Sequence, residues 1–407
     1  MSKVADSSPS ADFPHSGPFI LSSLAGGHSL FHWFLQSFIV ILPEVQAAFQ
    51  LSGVGVGAIL TARELASGLV TLPGGFIADL LQKHWGTILA GCVGVFSLAA
   101  LLMGLSPVYP LLIVGMGAVA ICHSIWHLPA SASLSLHFPQ RRGMALSFHG
   151  VGGSVGDVAG PVVTGALLAV LSWREILSVY AVVPFFLAFL ALWSFKNIGG
   201  TNSQIVDAPN MQVRLTMTRE LLRNRVLWGV TVVRGLREMA LVGILTVLPL
   251  YLGNDLELGT FNRGFHIGLL IAMGLLAKPV AGYVSDRWGR KQVLVPGLIW
   301  SSGITLLLVP FGEGIALTGL ILLLGLFLYP DQPIVTAATL ELAGPGVATT
   351  ALGVAAFGGF MMGAASPVIV GILYETFGMA ATLYYVAALF ALAAVIFFAL
   401  PLRASSN

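Results

Sequence analysis

The chain has 407 residues, of which 57% are hydrophobic and 9% carry a charge, whereas a soluble domain needs about a quarter charged residues to face water. That composition excludes an ordinary soluble globule, and a net charge of +2 with no basic tract gives nucleic acid nothing to bind. No P-loop, HExxH or nucleophile elbow occurs, so no enzyme, nucleotide site or cofactor is expected.

In chain order, residues 1–18 are polar and lack the pattern of a removable signal peptide. They are expected to form a cytoplasmic tail. Apolar runs then recur as far as Leu402, each near the ~20 residues that cross a ~30 Å hydrocarbon layer as a helix. Inside lipid the backbone must satisfy its own hydrogen bonds, which makes these runs helices. The alternating ten-residue segments of a barrel are absent. The predicted spans are 19–42, 54–80, 86–105, 109–136, 143–171 and 174–195, then 226–251, 263–284, 290–309, 314–341, 347–374 and 380–401. The longest polar stretch, 196–225, divides them six and six and reads as a linker between bundles 19–195 and 226–402. Cys92 and Cys122 sit inside apolar runs and read as packing residues.

Orientation follows from the basic residues. With the N-terminus inside, thirteen lysines and arginines fall on the cytoplasmic side and two, Arg174 and Arg263, on the other. That bias places both termini in the cytoplasm. An internal repeat is also visible: Pro73 to Asp79 follows the second run as Pro279 to Asp286 follows the eighth. Gly152, Gly153, Pro161 and Gly165 recur as Gly358, Gly359, Pro367 and Gly371, displaced by 206 positions.

The stretch Gly282-Tyr283-Val284-Ser285-Asp286-Arg287-Trp288-Gly289-Arg290-Lys291 resembles the G-x-L-A-D-R-x-G-R-K signature of major facilitator transporters. The first half keeps Gly75 and Asp79 but has Leu80 where the signature has arginine. Gly156-Asp157-Val158-Ala159-Gly160-Pro161 through Gly165 resembles the fifth-helix motif of facilitator exporters, without its last glycine. Gly156 and Gly160 give that helix a flat packing strip, and Pro161 permits a bend. Gly27-His28 through Leu42-Pro43-Glu44, and Trp126-His127-Leu128-Pro129, resemble fosmidomycin-resistance-type exporters in particular. The resemblance implies an all-α membrane protein with twelve transmembrane helices in two pseudo-symmetric six-helix bundles. It further implies alternating access and a gate on Asp79, Gly282, Asp286, Arg287 and Arg290. The fourth helix has no arginine and the first no aspartate, so the proton-coupling positions common among drug antiporters are not filled here.

An ionisable residue at membrane depth is costly and faces a cavity or a partner. In the facilitator fold, helices one, four, seven and ten line the central cavity. Here they carry His28 and His32, then His123 and His127, then Arg234, Arg237 and Glu238, and finally Asp331. His28/His32 and His123/His127 are i,i+4 pairs, each setting two imidazoles on one helical face. Three readings stay open for them: an anion-binding and titrating site, structural hydrogen bonding, or ligation of a transition metal. Arg234 and Glu238 are also spaced to pair, which leaves Arg237 on an adjacent face. Arg63 and Glu64 lie about 100° apart around their helix. A guanidinium left free there grips an anion bidentately. Glu64, Asp157, Glu238 and Asp331 are the carboxylates available for proton coupling.

The expectation is therefore a monomeric inner-membrane exporter of small, anionic or amphipathic organic compounds, driven by protons, with no resident metal. Uptake of an organic acid, or divalent metal export through the histidine pairs, are the alternatives.

Overall fold

The computed structural model describes residues 17–138, 140–195, 198, 211–343 and 347–402, with the side chains of 75–80, 82, 211–215, 348 and 349 left aside. No strand occurs among the described residues. The first half contains α1 (Gly17–Phe49), α2 (Gly53–Leu80), α3 (Trp85–Leu105), α4 (Tyr109–His137), α5 (Arg142–Leu167) and α6 (Trp173–Ser194). A short helix, α7 (Met211–Arg223), lies within the polar linker. The second half contains α8 (Arg225–Leu250), α9 (Thr260–Trp288), α10 (Arg290–Phe311), α11 (Gly314–Leu328), α12 (Asp331–Ala343), α13 (Ala348–Gly363) and α14 (Ser366–Ala399).

Ten stretches among the described residues are long and apolar enough to cross a membrane. The helix α5 is not among them, because glycines, His149 and Asp157 dilute its apolar content. The stretch 350–399 holds two crossings, divided at Gly378, whose φ of 76° breaks the helix in a region of backbone space that favours glycine. Counting both, the chain crosses twelve times.

Three boundaries depart from the sequence-based spans. The helix α1 runs on through Pro43 to Phe49. The tenth crossing is interrupted at Tyr329–Pro330, between α11 and α12, where proline cannot continue the hydrogen-bond ladder. Asp331 thereby opens a fresh helix, its carboxylate in the first turn, where the helix dipole favours negative charge. The eleventh crossing is likewise interrupted, between α13 and α14 at Ala364–Ala365.

Local signals set other ends. Ser172 and Glu175 form a reciprocal capping box at the start of α6. Gly289, with φ 102°, makes the turn between α9 and α10, which is the physical need behind the glycine in Trp288-Gly289-Arg290.

Buried apolar side chains gather into two main clusters. One is drawn from 20–198 with Val242 and Leu250, the other from 230–397 with Ile39 and Val40. Between the halves, backbone meets backbone at one end of the molecule. Gly53 lies against Gly371, Gly57 against the Pro367 carbonyl, and Gly165 against Gly264. At each, a methyl group would collide with main chain, so only glycine permits the approach. Side chains close the same end: Arg263 pairs with Glu44, Asn254 donates to Gln46 (2.9 Å), and the Gly53 amide donates to Glu375 (3.1 Å). Nearer mid-depth, Thr61 donates to the Ala364 carbonyl (2.7 Å). At the opposite end, among the described residues, no hydrogen bond or ion pair joins the halves.

Candidate functional site

The first half converges on imidazoles. His28 and His32 project from α1, His123 and His127 from α4, and His149 from α5. One ring nitrogen from each of the first four lies within 4.8 Å of all the others. His123 Nε2 is 3.2 Å from His32 Nε2 and 3.0 Å from His127 Nε2. The His32 Nδ1–H donates to Asp157 (2.8 Å), and the His28 Nδ1–H donates to the backbone carbonyl of His149 (2.9 Å). A carbonyl only accepts, so the proton of neutral His28 is on Nδ1, and its buried Nε2 has no hydrogen-bond partner. His149 stacks on His28, ring centroids 4.2 Å apart.

The two i,i+4 pairs are thus one cluster. Their spacing predicts two imidazoles per face; that the two faces meet is set by the packing of α1 on α5 through Gly152, Gly156 and Gly160. His149 is missing from the sequence-based candidates. Its signal is its place eight residues before Asp157 on the same glycine-rich helix.

The second half converges on charge. Arg237 is 2% exposed in its side chain and contacts Asp331, 1% exposed, with Nε to Oδ2 at 2.5 Å; its Nη1 donates to Glu238 (3.0 Å). This reverses the expected pairing. Arg234 was to take Glu238 and leave Arg237 free, but Asp331 at the start of α12 draws Arg237 inward. Arg234 is left half-buried with no ion pair, its stem against Gly359. In the first half Arg63 Nε donates to Glu64 (3.1 Å). A long side chain folding back over its own helix overcomes the ~100° offset between neighbours.

Glu64 and Glu238 come from opposite halves and meet at Gly363. A methyl built there would be 3.0 Å from Glu238 Cγ and 3.6 Å from Glu64 Oε2. That buried Glu64 oxygen has no hydrogen-bond partner. Tyr329, at the break in the tenth crossing, has a buried hydroxyl without a partner. Lys278 lies over its ring, 5.8 Å from the centroid. Lys278 is also within electrostatic reach of Asp157 on the other half. Tyr329 and Lys278 were not read as site residues; nothing short of the fold brings them to the seam.

The signature cluster stays within its own half. Arg290 pairs with Asp286, donates to Ser285 (2.7 Å) and Glu341 (3.0 Å), and Arg287 donates weakly to Tyr283 (3.5 Å). Gly282 has open space around it. The Asp79 side chain lies outside the described residues. Gly156 and Gly160 pack α5 on α1 against the backbone of Ser29 and Trp33, with Pro161 buried beside them. A separate cavity of about 270 Å³ lies between α1, α3, α4 and α6, lined by Ser22, Gly27, Trp126 and apolar side chains. None of the histidines lines it.

Twelve crossings in two halves, duplicated at a fixed offset around charges at membrane depth, are the architecture of a facilitator-type transporter. The sequence model of the Major Facilitator Superfamily matches residues 24–277 and 264–407, and the chain belongs to that family. It is 23% identical over 298 residues to the fosmidomycin resistance protein of Escherichia coli, covering 71% of this chain and 70% of that one. It is 22% identical over 261 residues to a probable nitrate transporter of Staphylococcus epidermidis, covering 63% of each. Among solved structures, a bacterial homologue of the human lysosomal transporter Spinster, inward-facing and unoccupied, superposes with a TM-score of 0.77 at 15% identity. It covers 94% of this chain and 98% of that one. The protein is a multi-pass membrane transporter and not an enzyme.

Proposed function

We propose that this transporter exports small organic anions across a bacterial inner membrane in exchange for protons, working as a monomer by alternating access. The observation that carries the reading is Arg234: a guanidinium at membrane depth, without an ion pair, on the helix that also holds Glu238. An unpaired buried charge is costly, and an anionic substrate supplies the partner that the protein withholds. Support comes from two similar proteins, one named for fosmidomycin resistance and one for nitrate.

Glu64 and Glu238 are the carboxylates for proton exchange. They face each other across the seam, with Arg63, Arg237, Asp331 and Arg234 around them. One proton shared between two close carboxylates relieves their repulsion, and substrate on Arg234 would compete for that balance. The basic-residue count puts both termini in the cytoplasm. In that orientation the glycine-closed end is outermost and the Asp286 end opens inward. The Asp286–Arg290–Glu341 cluster then serves the cytoplasmic gate, and Glu44–Arg263 the outer one.

Purified protein in proteoliposomes tests this with nitrate, a sugar acid, an organic phosphonate and an organic cation. Anion flux should run opposite to an imposed proton gradient, and Arg234→Gln should lower it at least about tenfold while elution and melting stay unchanged. Equal flux by the variant sinks the anion site, and flux running with the proton gradient makes the protein an uptake system.

A further inference from the structure

The first half holds a feature that anion export does not use. Four imidazole nitrogens from His28, His32, His123 and His127 converge within 4.8 Å of one another, with two of the contacts at 3.0 and 3.2 Å. We propose that these four side chains bind one divalent transition-metal ion of the zinc class through their Nε2 atoms. The proposal does not depend on the direction or substrate of transport.

Three observations carry it. The first is size. Zinc–nitrogen bonds of ~2.0–2.1 Å in a tetrahedron set ligand nitrogens about 3.3–3.4 Å apart. The two measured separations fall just inside that spacing, and the widest needs about an ångström and a half of contraction. Rotation of imidazoles on neighbouring turns of α1 and α4 supplies such a movement.

The second is the outer shell. A histidine that ligates a metal nearly always donates its other N–H to a carboxylate or a backbone carbonyl, which fixes the tautomer and aims the lone pair. His32 does so to Asp157 and His28 does so to the carbonyl of His149. Both therefore turn Nε2 lone pairs inward when neutral. The Nε2 of His28 is buried and unpartnered, which is a cost unless something fills its acceptor.

The third is counting. With lone pairs of His28 and His32 turned inward, the Nε2 of His123 faces both His32 and His127. One proton on it can bridge to a single acceptor well, so a proton network leaves lone pairs facing lone pairs. A single cation satisfies all four at once. Imidazole ligands suit zinc, copper and nickel, and a four-nitrogen tetrahedron points to zinc. The site is open to an incoming ion, since His32 and Asp157 retain 23% and 17% side-chain exposure.

Full-length protein without a histidine tag, in lipid nanodiscs, should be titrated with Co²⁺ as a spectroscopic stand-in. Wild type should develop the strong visible absorption of four-coordinate Co²⁺, saturating at one ion per chain and abolished by one equivalent of Zn²⁺. His123→Gln with His127→Gln should lose the band, while His266→Gln, at a buried histidine of the second half bonded to Thr318, should keep it. Asp157→Asn should keep the band with affinity lowered about 10–100-fold. A wild-type spectrum showing only the weak absorption of six-coordinate Co²⁺ overturns the proposal. So does equal binding by the double variant. Should that variant lose its monodisperse elution, unchanged affinity in Asp157→Asn overturns it instead.

Discussion

Shifted by 206 positions, His28 falls on Arg234, His32 on Glu238, His123 on Tyr329, Gly153 on Gly359 and Pro43 on Pro249. The contacts follow the shift. Gly153 lies against the His28 ring, and Gly359 against the Arg234 stem. Gly160 meets the Trp33 carbonyl, and at the matching place Ser366 donates to the Met239 carbonyl (2.6 Å). One scaffold is used twice, with neutral rings in one copy and ions in the other. The comparison teaches that the duplicated backbone fixes where polar groups stand, while the side chains decide whether each copy holds a lone-pair cluster or a salt bridge.

The largest test of that contrast is Asp331→Ala. It strands Arg237, 2% exposed, without its main carboxylate, and breaking a buried pair costs on the order of 3–5 kcal/mol. Thermal melting of the purified protein should show it as a large fall in midpoint or loss of folded material. His32→Ala is the first-half counterpart. Asp157 keeps 17% exposure and can be rehydrated, so the cost should be about 1–3 kcal/mol. Equal melting losses for the two variants would erase the distinction between the halves.

The smallest effect sharpens it. A methyl at Gly153 would sit 2.6 Å from the His28 ring, whereas at Gly359 it would sit 3.2 Å from a flexible arginine. Overpacking of about 1–3 kcal/mol should outweigh the ~1 kcal/mol that alanine gains in helix propensity at Gly153 but not at Gly359. Gly153→Ala should therefore melt lower than wild type, and Gly359→Ala at or slightly above it.

Much of this architecture is legible in the residues. Apolar length finds most of the crossings, and the repeated glycines and prolines find the duplication. Local rules mislead where the decisive partner is distant. The i,i+4 spacing of Arg234 and Glu238 is a sound local expectation, yet Asp331, on another helix, captures Arg237 and changes which arginine is free. His28/His32 and His123/His127 are visible as pairs, but their convergence depends on how closely α1 approaches α5. Pro330 could have marked the interruption of the tenth crossing, because an apolar run on either side of a proline hides the missing backbone donor from any measure of hydrophobicity.

The glycines that join the halves at their closed end leave two smooth faces with no interlocking teeth. Gly53 against Gly371 and Gly165 against Gly264 bury main chain on main chain, so parting them requires no side chain to leave a socket. Resistance to separation then falls to a few polar fasteners such as Glu44–Arg263 and Gln46–Asn254, which water can take over one at a time. Such a joint slides rather than tears.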